Sequence, residues 1–476
     1  MRAALAFAVS ATVVLPSAAG DFGDERAVTQ HLDHAAIAGG EIALADVLAH
    51  GRALFDARFT SEDGAGRPAA TAAESPTKRP ASDGALPLRT SGPDAASCAG
   101  CHNQPVNGGA GDFAANAFVA PQDLEYSFDS IAAELSMERG TPHLFGSGLL
   151  ELLAREMSAD LLAVRDATAA RARAEGAPVR ARLQSKGVDF GWIEVDADGF
   201  VDVSGLDGVD TDLIVKPFSH KGVTTSLRQF SVNAANMHHG MQASERFGER
   251  WTDEADFDAD GHVLELSAGD LTALTLFQAS LPLPGQVMPE DGAHAEAVAE
   301  GEGLFAEIGC ASCHVPALPL RTDSFAEPGP FNPAGTLRAS EAAPFEIALD
   351  SLVGWPLPRD ADGQILVPAF TDLKRHSIAD QRNSHFANEK LTHHFVPRDV
   401  FRTTPLWGVA DTGPYGHRGD LTTLRSAILA HGGDGAAARQ GFEQLDEREQ
   451  RRVIAFLQSL RLPQPAAADI TEAMRR

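Results

Sequence analysis

Apolar positions fall in short bursts along this chain, and each burst predicts a different element. Residues Ala3 to Leu15 form an apolar run behind Arg2, followed by small residues at Ser17, Ala18 and Ala19. That pattern predicts an export signal over 1–19, too short to stay in a bilayer as a span. From Ile42 to Phe55 apolar residues recur at helical spacing and end in Gly51-Arg52-Ala53-Leu54-Phe55. Residues 61–97 hold almost no large apolar side chain and are rich in Ala, Pro, Gly, Ser, Thr and Asp, which predicts a long surface loop or partly disordered insertion. A second helical stretch, Ala295 to Ile308, carries Gly301-Glu302-Gly303-Leu304-Phe305. Strand signals are few, near Gly191 to Val203 and Gln364 to Ala369. The expected fold is therefore mainly α, with long loops and a few short strands.

Repeats sharpen this picture. Each helical stretch leads into a Cys-x-x-Cys-His run, Cys98-Ala99-Gly100-Cys101-His102 and Cys310-Ala311-Ser312-Cys313-His314. A longer echo follows: His220-Lys221-Gly222-Val223-Thr224-Thr225-Ser226-Leu227-Arg228 aligns without a gap on His417-Arg418-Gly419-Asp420-Leu421-Thr422-Thr423-Leu424-Arg425. Each copy predicts a glycine turn, an N-capping hydroxyl and a helix. Two homologous halves are expected, 20–285 and 286–476, joined at the proline-rich Leu281 to Gly285.

The 476 residues suffice for two or three domains. All four cysteines lie in the two runs, so none is left for a structural disulfide. Two thiols one turn apart can each add to a porphyrin vinyl group while the adjacent histidine reaches iron, so the spacing points to two covalently bound c-type haems. Zinc and a thioredoxin-like redox pair are the alternatives, but a lone run lacks an obvious fourth zinc ligand, and no βαβ pattern precedes either run. His102 and His314 are then the proximal iron ligands. His431, two turns beyond Leu424 and before Gly432-Gly433, is the candidate sixth ligand of the second haem. For the first haem the candidates are His238, three turns beyond Leu227, and His239, as ligand or distal group. His376, His393 and His394 are expected at the surface or in packing. Arg228 and Arg425 are candidate partners of haem propionates, because a guanidinium fork matches a carboxylate. Trp407 could carry electrons or fill the core. Asp256-Phe257-Asp258-Ala259-Asp260-Gly261 matches the first half of a calcium loop, but its twelfth position is Ser267 and Glu265 is at the tenth, so a solvated acidic turn is expected ahead of bound calcium.

With 39 Lys plus Arg against 66 Asp plus Glu, the formal charge of −27 opposes binding to nucleic acid or an anionic membrane; it suits a cationic partner or serves solubility alone.

These residues together resemble the di-haem oxidoreductase family, related to bacterial di-haem cytochrome c peroxidases and the MauG proteins. The resemblance rests on Ser91-Gly92-Pro93 before the first run, Leu144 to Glu151, Phe305 to His314, Phe370-Thr371-Asp372-Leu373, and Phe401 to Gly433 with Pro414-Tyr415-Gly416-His417. It implies two cytochrome c-like domains, a bis-histidine second haem with His431 as distal ligand, a small electron-donor protein such as a cationic cytochrome, and a small oxidant such as peroxide. The peroxidase segment bearing an acidic distal residue is not recognisable. A periplasmic peroxidase-like enzyme is thus expected; a pure electron carrier and a haem-based redox sensor are the competing readings.

Overall fold

The structure is a computed structural model describing residues 24–80, 89–119, 132, 134–354 and 356–463. The expected export signal at 1–19 and part of the 61–97 insertion lie outside the described residues.

The helices that matter for the site are α1 (Leu44–Asp56), α2 (Ser147–Glu175), α3 (Leu227–Ala234), α4 (Ala268–Ala279), α5 (Gly292–Glu307), α6 (Leu424–Leu429) and α7 (Glu447–Ser459). Helices α1 and α4 pack together in the first half, and α5 and α7 in the second. Glycine sets both crossings. A methyl at Gly51 would overlap the carbonyl of Ala273 on α4, and one at Gly301 the carbonyl of Arg452 on α7, so only hydrogen lets either backbone pair approach this closely. Phe277 and Phe456 lie beside the two contacts, with ring centroids 5.4 Å from Phe55 and 5.3 Å from Phe305.

The longer echo is equally visible. Gly222 and Gly419 have φ of 60° and 67°, and Phe218 bridges Thr224 as Tyr415 bridges Leu421. Ser226 Oγ then accepts from Gln229 N at 3.1 Å to start α3, and Thr423 Oγ1 from Ser426 N at 3.0 Å to start α6. Each such cap stabilises its helix by about 1 kcal/mol.

The expectation of a mainly α chain is corrected. Among the described residues helix accounts for 35% and strand for 15%. The strands pair as small ladders, among them 114–119 with 136–140, 179–185 with 188–195, 324–327 with 345–348 and 375–377 with 400–402. Most are too short for an alternating pattern to emerge from the sequence. The insertion is corrected too: in its described part Ala65, Ala69, Ala70 and Ala72 are buried. Small side chains there permit close packing rather than solvation.

The largest apolar core is common to both halves. Leu149, Leu153, Phe190 and Ile193 pack in one cluster with Leu318, Leu320, Phe325, Ile365 and Val367. Among the described residues no helix is long and apolar enough to cross a membrane.

Candidate functional site

Both Cys-x-x-Cys-His runs form one tight turn. Ser97 Oγ accepts from Gly100 N at 3.0 Å, and His102 N donates to Cys98 O at 2.9 Å. In the second run, Gly309 (φ 92°) turns the chain out of α5, and His314 N donates to Cys310 O at 3.0 Å. The entry helices supply matching aromatic supports, with the Phe55 ring 6.3 Å from His102 and the Phe305 ring 6.3 Å from His314. All four thiols are free. Burial pushes the Cys98 thiol up to about 12 and the Cys310 thiol up to about 11. Burial also brings His102 and His314 down to about 4, so both imidazoles are neutral, the form that binds iron. His314 Nδ1 donates to Phe370 O at 3.1 Å and leaves Nε2 for a metal.

One continuous cavity joins the two runs. His102, His143, Trp407, His314 and His431 all line it, with apolar wall from Leu150, Phe230, Phe401, Ile428 and Leu457. Trp407 is 2% exposed. Gly146 (φ 74°) makes room for it, since a Cβ there would sit 2.7 Å from the indole. The indole Nε1 has no partner, nor do the buried His143 Nδ1 and Arg439 Nε. An apolar slot with unpaired donors at Trp407 Nε1 and Arg439 Nε, with Cys310, Cys313 and His314 in its wall at one end and His102 at the other, fits a pair of flat macrocycles with acidic edges.

His431 shares the cavity with His314. Its Nδ1 donates to Ala427 O at 2.8 Å, and its ring meets Phe386 edge-on at 5.5 Å. Continuing the repeat, the first-half match of His431 is Ala234. There α3 runs into a π-helical turn, Ala235–His239, which breaks the regular spacing behind the choice of His238. The turn places His239 Nε2 3.5 Å from Cys98 Sγ, with Nδ1 donating to Ala95 O at 2.8 Å. His238 Nδ1 lies 2.6 Å from Ser91 Oγ. Both flank the first run, outside the cavity wall shared by the two runs. Burial brings His238 down to about 3 and His239 to about 4.

The two repeat arginines do not line the cavity. Arg228 is fully buried, and its N–H groups go to Glu245, Glu327, Thr272 Oγ1 and Ala268 O. Arg425 donates to Gln450 and covers the Phe442 ring. The arginines in the wall are Arg402 and Arg439, which the repeat did not point to because they lie outside it. His143 was likewise missed. His376, expected at the surface or in packing, lines the cavity with Nε2 2.8 Å from Asp372 Oδ2 and Nδ1 4.0 Å from Cys313 Sγ. Burial alone would lower it; the Asp372 carboxylate and Cys313 raise it to about 10. The expectation of a solvated acidic turn also fails, since Asp258 is fully buried.

Residues 350–460 match the family model described as "Di-haem oxidoreductase, putative peroxidase", the family the sequence resembles. No curated protein matches the chain. Among solved structures, a hydrazine synthase of Kuenenia stuttgartiensis is similar at 15% identity and TM-score 0.29, covering 60% of this chain and 76% of that one. A MauG-like protein associated with microbial copper homeostasis is similar at 15% identity and TM-score 0.27, covering 67% and 89%.

Proposed function

We propose that this chain is an exported, periplasmic di-haem oxidoreductase of peroxidase-like activity, with both haems attached through thioethers at Cys98 and Cys101 and at Cys310 and Cys313. The observation that carries this reading is one cavity lined by His102 of the first run, by Cys310, Cys313 and His314 of the second, and by Trp407. When bound, the haems supply the redox chemistry, electrons entering from a donor protein at the second site and reducing a small oxidant such as peroxide at the first.

The chain's own residues divide the work unequally. At the second site His314 and His431 face one cavity with Nδ1 of each tied to a backbone carbonyl, which fixes the ring and frees Nε2 on both. At the first site His102 has no counterpart of His431, because Ala234 occupies that position. His238 and His239, neutral and held by Ser91 and the Ala95 carbonyl, are distal groups able to hold or pass a proton. Trp407 packs between the sites as an aromatic path. The acidic surface favours a cationic donor, whose association rate falls as salt rises.

Electron paramagnetic resonance of the holoprotein tests the assignment. One low-spin haem that loses its signature in His431→Ala, beside one high-spin haem that binds cyanide, is expected. Two low-spin haems indifferent to cyanide would instead establish an electron carrier.

A further inference from the structure

The turn Asp256 to Gly261 lies in none of the machinery above. The carboxylate oxygens of Asp256, Asp258 and Asp260 converge within 4.8 Å of one another. Asp258 is 0% exposed, and neither of its carboxylate oxygens has a hydrogen-bond partner. Among the described residues no lysine, arginine or histidine forms an ion pair with any of the three. A fully buried carboxylate facing two others without a counter-charge is costly, and a cation removes that cost. The loop is already closed around the cluster: Asp256 Oδ2 accepts from Gly261 N at 2.9 Å and Asp260 Oδ1 from His262 N at 2.7 Å.

We propose that Asp256, Asp258 and Asp260 hold one calcium ion, and that this ion braces the His238–His239 turn beside the first Cys-x-x-Cys-His. An all-oxygen donor set of high negative charge suits a hard cation, and calcium tolerates irregular geometry better than magnesium. The bracing runs through backbone contacts. Asp258 O accepts from Ala69 N at 2.8 Å, and Gly66 N donates to Gly240 O at 3.0 Å. Arg67 Nη1 donates to Asn236 Oδ1 at 3.3 Å inside the π-helical turn. The buried Glu265, close behind the cluster, accepts from Gln242 N at 2.7 Å. The 61–80 segment is thus clamped between the acidic turn and the residues that carry His238 and His239.

Elemental analysis and calorimetric titration of the purified holoprotein, stripped with EGTA and refilled with calcium or magnesium, test the site. The expected result is one calcium per chain, a Tm several degrees higher with calcium than in EGTA, and a weaker effect of magnesium. Asp258→Asn should abolish the calcium-dependent Tm shift while leaving haem content unchanged. In EGTA this variant should be at least as stable as wild type, because it removes a buried charge; a merely structural aspartate would lose stability in both conditions. Should Asp258→Asn not fold, Asp260→Asn is expected to weaken calcium binding at least tenfold. Calcium should also sharpen the resonance signal of the first haem and leave that of the second unmoved. Absence of stoichiometric calcium, or binding unaltered in these variants, would overturn the proposal.

Discussion

Replacing Arg228 by alanine separates two accounts of that residue. In the repeat it occupies the same position as Arg425, which suggests a haem-edge role; in the folded protein it is a buried electrostatic staple. Its guanidinium is 0% exposed and donates to Glu245 Oε2 at 2.7 Å, Glu327 Oε1 at 2.9 Å, Thr272 Oγ1 at 2.9 Å and Ala268 O at 2.8 Å. Removing it strands the carboxylates of Glu245 and Glu327, which are 7% and 0% exposed. Arg155, 3.8 Å from Glu327, compensates only weakly. Breaking a buried pair in this way costs about 3–5 kcal/mol. At about 2–4 °C per kcal/mol that lowers Tm by about 6–20 °C in calorimetry of the holoprotein. Arg228→Lys should recover part of the loss, since it keeps the charge and not the fork. Over the folded range the visible spectrum of the alanine variant should match wild type. A loss below about 1 kcal/mol, or a shifted haem spectrum at unchanged Tm, would refute the staple.

Two more outcomes follow from packing and titration. Gly301→Ala forces a methyl into the Arg452 carbonyl and should cost about 2 kcal/mol or more. Gly303→Ala on the same helix meets nothing within 4 Å and should be neutral or stabilise by up to about 1 kcal/mol; equal effects in denaturant unfolding would contradict the crossing. The hydrogen bond to Asp270 raises the His31 pKa, so its contribution is complete below about 6.5 and is lost as pH rises through the higher folded value. Burial would raise the Asp270 carboxyl, but hydrogen bonds from His31 and His50 hold it well below the carboxylate range, so its contribution fades only as pH falls below about 4. The Tm advantage of wild type over His31→Ala should therefore shrink as pH rises above about 6.5; a difference independent of pH would remove His31 from the balance.

What could be read in the sequence was what repeats locally. The two Cys-x-x-Cys-His turns, the Gly51 and Gly301 helices and the capped turns after Gly222 and Gly419 are short-range patterns, and each returns in the structure as drawn. His143, Arg402 and Arg439 reach the cavity from segments far apart in the chain, so no spacing announces them. At His238 and His239 the face argument assumes regular α-helix, and one π-helical turn rotates every residue beyond it. Asp258 shows the reverse case: the motif was visible, but its burial depends on Ala69 and Ala70, small residues of an insertion whose composition resembles a surface loop.

The proposed chemistry requires two porphyrins joined to this polypeptide. Intact mass spectrometry of the denatured, secreted protein, with a pyridine haemochrome spectrum of the same sample, tests it directly. Two covalently retained haems per chain are expected in wild type, one in Cys98→Ser/Cys101→Ser and one in Cys310→Ser/Cys313→Ser. A chain of bare polypeptide mass, or one carrying zinc at these cysteines, would contradict it.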